Sequence, residues 1–323
     1  MPRLRSLTLI VALFAGLAAP ASAQQTLTAP GPEGELAGTL VMPEPDHPLV
    51  LIIPGSGMTD RDGNNPLAVT AAPYRLLADA LQQHGIGTLR IDKRGMFGSK
   101  AATADPNAVT IADYVADTAS WIESARAQIA IDCVWLLGHS EGAIVALAAA
   151  QELDNLCGVI LVTAPGRPMG TVLREQLHAN PANAPLLEGV DAAIAELEAG
   201  RRVDVESLHP LLGRLFAPTV QGFMIDLMAH DPAQLAAATD VPLLIVHGGN
   251  DLQIAADDAA ALRAGAPDAE FVEIDAMNHV FKEVPADDPF ANRASYADAS
   301  LPVAPALVEA VAEFVMRPRG EEN

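Results

Sequence analysis

Residues 138–142, with the sequence Gly-His-Ser-Glu-Gly, place a potential nucleophile in a tight turn. The apolar run 134–137 precedes them directly, and the alanine-rich stretch 143–151 follows them. A strand that enters a helix through so sharp a turn presents its central side chain at the tip, and the flanking glycines leave room for neighbouring backbone. The pattern therefore predicts that the hydroxyl of Ser140 attacks an acyl group.

A serine hydroxyl needs a base within hydrogen-bond reach, and the base needs a carboxylate that orients it. The candidate base is His279, because it alone among the histidines lies beyond the last predicted core strands, shortly after the strand at 271–274. The candidate acid is Asp251, on the loop after the predicted strand 243–246. Serine, aspartate and histidine in this chain order, each at a strand end, predict a catalytic triad.

The negative charge that develops on an acyl oxygen needs two N–H donors, which form an oxyanion hole. The backbone N–H of Glu141, directly after the candidate nucleophile, is the first candidate. The second is expected in Pro-Gly-Ser-Gly, which follows the predicted strand 49–53. We expect the N–H of Ser56 there, with Gly57 as the alternative; the same glycines would also suit a tight turn with no catalytic duty.

Charged residues follow the first two buried strands. Asp60, Arg61 and Asp62 suggest either substrate recognition at the mouth of the pocket or, as the favoured interpretation, a charge network that holds the loop. Arg94 follows the next strand, and we expect it to hold the carboxylate of Glu141. No metal site is predicted, because the alternating oxygen ligands that begin at Asp60 stop early and no glutamate stands at the twelfth position of a calcium loop.

Strand and helix patterns alternate along most of the chain. After a hairpin expected over residues 26–42, this alternation predicts an α/β fold with a mostly parallel sheet flanked by helices. The segment 165–240 contains only helical patterns and is too long for a plain loop. We therefore predict a core formed by residues 24–164 and 241–318, with a helical cap at 165–240 inserted before the last two strands.

The first 23 residues have the pattern of a secretory signal peptide. Arg3 and Arg5 precede an apolar run at 7–19, and Ala-Ser-Ala at 21–23 is a typical cleavage site. Later apolar runs fall short of the ~20 residues that a membrane helix needs. We expect a periplasmic or secreted protein without membrane insertion after cleavage; the alternative is a retained membrane anchor.

The chain is strongly acidic, with a formal net charge of −22 over 323 residues. Such a surface repels nucleic acid and anionic membranes. The sequence of the chain also contains no Gly-rich phosphate-binding motif and no basic patch that would indicate a nucleotide or nucleic-acid partner. We expect a small-molecule substrate and no cofactor, and composition leaves the oligomeric state open.

The two cysteines, Cys133 and Cys157, each open one of two consecutive apolar strands. Neighbouring parallel strands would hold the two thiols at similar heights, and an oxidising compartment would permit a disulfide. Adjacent strands often misdirect the Cβ vectors. Two buried free thiols are therefore the slightly favoured alternative to a bridge.

Three longer motifs surround these candidate residues. They are P-G-S-G-x-x-D-R-D-G-N at 54–64, D-x-R-G-x-G-x-S at 92–99, with one extra residue between its glycines, and G-H-S-E-G at 138–142. With them the chain resembles a bacterial α/β-hydrolase, in particular the carboxylesterase group. The resemblance implies an α/β-hydrolase fold and hydrolysis of short-chain acyl esters through the serine, histidine and aspartate named above.

The same superfamily includes serine aminopeptidases, thioesterases and acyltransferases, so the fold alone does not choose the substrate. A proline-type or N-terminal peptidase would need a carboxylate in the cap to bind the substrate amine. The candidates for that carboxylate are Glu175, Glu188, Glu196, Glu198 and Glu206. A non-catalytic binding protein on the same fold is a third interpretation, which the complete triad disfavours.

Overall fold

The computed structural model describes residues 24–67 and 69–317, so the predicted signal peptide at 1–23 lies outside the described residues. Within the described part, eight strands form one sheet. The strands are β1 Gln25–Pro30, β2 Glu35–Val41, β3 Leu49–Ile53, β4 Gly87–Ile91, β5 Val134–His139, β6 Leu156–Val162, β7 Leu243–Gly248 and β8 Glu270–Ile274. Their order across the sheet is β1-β2-β4-β3-β5-β6-β7-β8.

The direction of the strands brings the loops of interest to one edge. Strand β2 is antiparallel to both β1 and β4, and the remaining neighbours, from β4 and β3 through to β7 and β8, are parallel. Parallel strands end at the same edge of a sheet, and α/β folds of this kind bind their ligands there. The loops after β3, β4, β5, β7 and β8 therefore meet at the carboxyl edge.

Helices cover both faces of the sheet. In the described residues they are α1 Pro73–Gln82, α2 Ile111–Gln128, α3 Glu141–Ala150, α4 Met169–His178, α5 Leu187–Glu198, α6 Pro210–Leu215, α7 Gln221–Met228, α8 Pro232–Ala237, α9 Ala256–Gly265, α10 Pro289–Ser295 and α11 Pro305–Met316, with 3₁₀ turns at Phe97–Ala102, Pro181–Leu186 and Val205–Ser207. A search of the described helices finds none that is both long and apolar enough to cross a bilayer.

Strand β3 shows how one apolar run supports two layers of core. All five of its residues are buried. Leu51 packs in the cluster that includes α2 and α3, whereas Ile52 packs in the cluster that includes α1 and α11. Because successive side chains of a strand point to opposite faces, a run without polar residues is what a strand covered on both faces requires.

The start of α2 follows its sequence signature. Thr110 Oγ1 accepts a hydrogen bond from the backbone N–H of Asp113 at 3.2 Å, and the Asp113 carboxylate accepts one from the backbone N–H of Thr110 at 2.9 Å. This reciprocal arrangement is a capping box, which satisfies two N–H groups that the first helical turn leaves without partners. The helix therefore begins at a complete capping box.

The segment between β6 and β7 forms a helical insertion, which we define as residues 165–240. It contains α4 to α8 and has a small apolar cluster of its own. The buried members of that cluster are Val190, Ala193, Ile194, Leu197, Leu212, Phe216 and Met228. Two further buried residues of the insertion, Leu227 and Ala236, pack in the main core cluster together with α2 and α3, so the insertion is also joined to the core.

Several contacts attach the helical insertion near the carboxyl edge, among them the salt bridge of Arg167 with the buried carboxylate of Asp258 at 2.7 Å. The Asp226 carboxylate accepts a hydrogen bond from the backbone N–H of Ile111 at 2.7 Å, at the start of α2. Gln176 donates a hydrogen bond to the backbone oxygen of Gln253 at 2.8 Å, two residues after Asp251. These contacts place parts of the insertion beside the loops that carry the candidate acid and the charged residues after β4.

Cys133 and Cys157 form a disulfide between β5 and β6, with their Cα atoms 5.2 Å apart. Cys133 directly precedes β5, and Cys157 is the second residue of β6. The two strands are parallel neighbours, so the cysteines lie at the same height near the amino edge. The structure thus contains the bridge and not the free thiols that the sequence slightly favoured.

Candidate active site

Ser140 stands at the junction of β5 and α3 with φ 53° and ψ −125°. A positive φ is rare for a residue with a side chain and stores backbone strain. A Cβ on Gly138 would lie 2.4 Å from the backbone oxygen of Gly142, and one on Gly142 would lie 2.3 Å from the backbone oxygen of Ile53. Both glycines are therefore required for the elbow to close, and the elbow presents Ser140 at the carboxyl edge.

His279 and Asp251 are paired on neighbouring loops. His279 Nδ1 lies 2.7 Å from Asp251 Oδ2, and the Asp251 side chain is completely buried. The other carboxylate oxygen accepts hydrogen bonds from the backbone N–H groups of Gln253 at 2.7 Å and Ile254 at 3.0 Å. Because β7 and β8 are adjacent, the loops that follow them bring the acid and the base together.

The residue before the nucleophile connects the elbow to the base. His139 Nε2 lies 3.0 Å from the backbone oxygen of His279, and the two imidazole rings are 4.7 Å apart between centroids. Ser140 is thus one residue away from a direct contact with the His279 loop. The fold brings Ser140, Asp251 and His279, which are far apart in sequence, to one place.

Tyr74 extends this connection to the loop after β3. Its hydroxyl lies 2.6 Å from His139 Nδ1 and accepts a hydrogen bond from the backbone N–H of Gly55 at 3.0 Å. Burial lowers the pKa of His139 well below its ordinary value of 6.5, and the neighbouring His279 lowers it further. His139 is therefore neutral.

The protons of the His139 network follow from that neutral state. The His279 oxygen can only accept, so His139 Nε2 carries the proton and donates it there. Nδ1 then accepts from the Tyr74 hydroxyl, and that hydroxyl oxygen accepts from Gly55. Sequence reasoning did not single out His139 or Tyr74, although His139 stands inside the G-H-S-E-G motif.

The loop that carries the expected second oxyanion donor lies against the elbow. A Cβ on Gly55 would be 3.2 Å from Ser140 Cβ and 3.3 Å from His139 Nδ1. The next residues, Ser56 and Gly57, are exposed, and Gly57 has φ 69°. The expected donors Ser56 and Glu141 therefore belong to two segments that approach Ser140 from different sides.

The expected ion pair between Arg94 and Glu141 is wrong. Arg94 binds two acids of α2, with distances of 2.7 Å to Asp117 and 2.9 Å to Asp113. The partner of Glu141 is Lys93, whose Nζ lies 3.0 Å from Glu141 Oε1. The two neighbouring side chains leave the backbone in different directions, toward the elbow and toward α2, and the sequence does not reveal which goes where.

The charged residues after the oxyanion loop bind one another and β4. Arg61 forms a salt bridge with Asp92 at 2.5 Å, and Asp62 pairs with the guanidinium of Arg90. The Asp60 carboxylate accepts hydrogen bonds from the backbone N–H groups of residues 62 and 64, at 2.9 and 2.8 Å. These contacts correspond to a network that holds the loop. Across residues 24–67 and 69–317, no group of three or more His, Cys, Asp or Glu side chains is arranged to hold a metal ion.

Comparison with known proteins places this geometry in a family. The family model described as serine aminopeptidase, S33, matches residues 67–283, which is more than half of the chain. Esterase EstD from Thermotoga maritima is 27% identical over 254 residues, which are 76% of this chain and 58% of that protein. The chain thus spans less than two thirds of the length of this curated relative.

Solved structures share the fold at low sequence identity. Est1E from Butyrivibrio proteoclasticus superposes with a TM-score of 0.56 at 17% identity, covering 90% of this chain and 96% of that chain. A Mycobacterium tuberculosis puromycin-hydrolyzing peptidase gives a TM-score of 0.58 at 15% identity, covering 95% of this chain and 42% of that chain. The predicted α/β-hydrolase fold is confirmed, and the chain belongs to the serine aminopeptidase S33 family of α/β-hydrolases.

Proposed function

We propose that this chain is a serine hydrolase that cleaves carboxylic esters, with short acyl chains, through an acyl-enzyme intermediate. The observation that carries the proposal is the 2.7 Å pair of His279 and Asp251 beside the strained elbow of Ser140. Nucleophile, base and orienting acid in this arrangement are the requirement for acyl transfer by serine. The esterase among its relatives supports the ester as the substrate class.

Each group has a defined task in the proposed reaction. The Nδ1–H of His279 donates a hydrogen bond to Asp251, which stays ionised, and Nε2 is therefore free to accept the proton of the Ser140 hydroxyl as the oxygen attacks the ester carbon. The N–H groups of Glu141 and Ser56, or of Gly57, stabilise the oxygen that becomes negative. Protonated His279 then gives its proton to the leaving alcohol, and water attacks the acyl-enzyme by the same route in reverse.

The carboxylates of the helical insertion favour an ester over an aminopeptidase substrate. A peptide amine needs a carboxylate without a partner, but three of the five candidates are already bound to arginine. Glu175 binds Arg167 at 2.7 Å, Glu198 binds Arg174 at 2.9 Å and Glu196 binds Arg201 at 2.7 Å. The other two candidates, Glu188 and Glu206, are exposed. Because the matching family model is described as a serine aminopeptidase, aminoacyl amides are the substrates to test beside esters.

We further propose that the helical insertion caps the site and that the mature protein is periplasmic or secreted after cleavage following Ala23. The contact of Gln176 with Gln253 supports the first proposal, because it lies beside the acid loop. The pattern of the first 23 residues supports the second. The bridge between Cys133 and Cys157 agrees with it, since disulfides persist in oxidising compartments. A small-molecule ester is the proposed partner.

The decisive experiment compares Ser140→Ala with the wild-type protein on p-nitrophenyl acetate, longer acyl esters and aminoacyl p-nitroanilides. We expect Ser140→Ala to lower kcat for the esters by roughly 10³-fold or more. Ser207→Ala, at an exposed serine of the helical insertion, is the matched control and should keep full activity. Ester turnover that survives Ser140→Ala would refute the nucleophile, and cleavage of amides alone would make the protein a peptidase.

A further inference from the structure

Lys93 and Glu141 form a buried ion pair that the proposed reaction does not use. Both side chains are only 3% exposed, and Lys93 Nζ lies 3.0 Å from Glu141 Oε1. Removing two charges from water is costly unless both are paired and hydrogen-bonded. A pair of this kind beside the nucleophile therefore calls for a reason other than stability.

The second hydrogen bond of Lys93 suggests that reason. Its Nζ donates to the backbone oxygen of Gly55 at 2.8 Å. The carbonyl of Gly55 and the N–H of Ser56 belong to the same peptide unit, which is planar and has no cis bond here. In a trans peptide the C=O and N–H vectors point in opposite directions. By holding the Gly55 oxygen, Lys93 fixes the direction in which the Ser56 N–H points.

The preceding peptide unit of the loop is held independently. The N–H of Gly55 donates to the Tyr74 hydroxyl at 3.0 Å, so both backbone groups of Gly55 are bound to buried side chains. A residue held at both groups cannot rotate about its own dihedral angles without breaking a hydrogen bond. The loop is thereby fixed just before the exposed residues Ser56 and Gly57.

The other partner of Lys93 leads to the second half of the oxyanion hole. Glu141 is the first residue of α3, and its own N–H is the other proposed donor. One ammonium group thus binds the two residues that determine where both donors point. We propose that Lys93 is a positioning residue that sets the relative orientation of the two oxyanion donors, an inference that rests on the proposed function.

The charge state of Lys93 agrees with this role. Burial acts to lower its pKa, but the Coulomb attractions of Glu141 and Tyr114, together with the hydrogen bond to Glu141, outweigh burial, so the pKa is raised above its ordinary value. The ammonium group, which also lies 5.3 Å from the centroid of the Tyr114 ring, therefore keeps all three protons. It can bind Gly55 and Glu141 at the same time throughout the working pH range.

The test replaces both charges together, so that no unpaired charge remains buried. In Lys93→Met/Glu141→Gln we expect kcat for p-nitrophenyl acetate to fall about 10- to 100-fold, less than the loss of a whole donor. KM should change less than about twofold, because the donors act on the transition state more than on the bound ester. The affinity for phenylboronic acid, which forms a tetrahedral adduct with the serine, should fall in parallel.

The neighbouring residue supplies a matched control. Arg94→Met/Asp117→Asn removes a buried ion pair from the next position in sequence, but that pair binds α2 and not the oxyanion loop. We expect its kcat and boronate affinity to stay within about twofold of wild type. Melting temperatures of both double variants show whether each one is folded. Equal effects of the two pairs on kcat would overturn the inference, because they would indicate a general structural role.

A second variant covers the case in which the methionine variant does not fold. Lys93→Gln/Glu141→Gln keeps an amide donor near Gly55 and should recover part of the lost kcat and boronate affinity. If the methionine variant does not fold and the glutamine variant keeps the kcat and boronate affinity of wild type, the ammonium group of Lys93 does not position the donors and the inference fails. The affinity for the boronate, measured by calorimetry, depends on the oxyanion hole and does not require ester turnover. It therefore tests the role of Lys93 even if the wild-type protein does not cleave esters and the proposed function is wrong.

Discussion

Two ion pairs, one at the carboxyl edge of the sheet and one in the helical insertion, differ sharply in burial. At the edge, Lys93 and Glu141 are almost fully buried and bound to each other. In the insertion, the pair of Arg201 and Glu196 is exposed, with a side-chain accessibility of 61% for the arginine. Both regions contain ion pairs of good geometry, with distances of 3.0 and 2.7 Å.

The two pairs differ in how much their burial costs and therefore in how strongly their geometry is specified. A buried charge is costly without a partner, so the geometry of the pair formed by Lys93 and Glu141 is strongly specified. An exposed ion pair contributes little, because water and salt screen it. We therefore expect substitutions of the buried pair at the edge to have large effects, and substitutions of the exposed pair in the insertion to have small ones.

The largest contrast is expected between two carboxylates. Asp251→Asn should lower kcat on the order of 10⁴-fold, because the amide can donate to His279 Nδ1 and so stabilise the wrong tautomer. Glu198→Gln in the helical insertion, which loses an ion pair of 2.9 Å with Arg174, should retain kcat within about twofold. Steady-state kinetics on p-nitrophenyl acetate measure both. Similar losses in the two variants would remove the distinction between the regions.

Backbone strain gives the second contrast. Ser140 adopts φ 53° at the edge, whereas the insertion uses a glycine, Gly200, for φ 73° at the end of α5. Ser140→Gly should therefore be more stable than Ser140→Ala by about 1 kcal/mol. Gly200→Ala should lose about 1 kcal/mol, although nothing lies within 4 Å of the added methyl group. Urea unfolding gives both values, and equal stability of the two Ser140 variants would show that the elbow is not strained.

The third prediction concerns pH and the His139 network. The folded protein keeps His139 neutral because its pKa is lowered, whereas the unfolded chain takes up a proton below about pH 6.5. Below 6.5 the unfolded state therefore binds more protons, and the free energy of unfolding falls by at most about 1.4 kcal/mol per pH unit until the lowered pKa is reached. His139→Asn, whose Oδ1 can still accept from Tyr74, should remove this part of the slope.

Urea unfolding of both proteins at pH 7.5, 6 and 5 tests the third prediction. The difference in unfolding free energy between wild type and His139→Asn should shrink as the pH falls, because only wild type loses the contribution of the neutral imidazole. Parallel pH profiles would mean that His139 titrates normally in the folded protein, contrary to its burial.

The smallest effect is expected for an ion pair of the helical insertion. Arg201→Gln removes both hydrogen bonds to Glu196, at 2.7 and 2.8 Å. Because both side chains are exposed, we expect no measurable change in melting temperature or in kcat. A clear fall in either quantity would show that the insertion is as tightly specified as the edge, and the comparison between the two regions would fail.

Much of the fold followed from short-range patterns. The apolar run at 49–53 is a local signal, and the structure has the strand β3 at the expected place. The site was harder to predict, because its supporting contacts join distant segments. Tyr74 and His139, 65 residues apart, meet only when α1 packs against the sheet. The role of Tyr74 could not be predicted from its position, because a tyrosine in an amphipathic helix is usually a core residue.

What the sequence determined by itself is the set of groups and their order along the chain. The elbow at 138–142 needs its two glycines, and Asp251 and His279 follow strands whose parallel direction delivers them to one edge. The hydrophobic pattern of a strand and the space that a glycine leaves depend on residues close together in sequence, so both can be predicted from the residue types alone.

Only the tertiary structure decided which partner each buried group has. Lys93 and Arg94 are adjacent cations after the same strand, yet one binds Glu141 and the other binds α2. The disulfide between Cys133 and Cys157 was likewise decided by the tertiary structure, because it forms only if the two Cα–Cβ bonds on neighbouring strands point toward each other. These choices depend on the direction of a side chain in three dimensions, which is set by the packing of segments far apart in sequence.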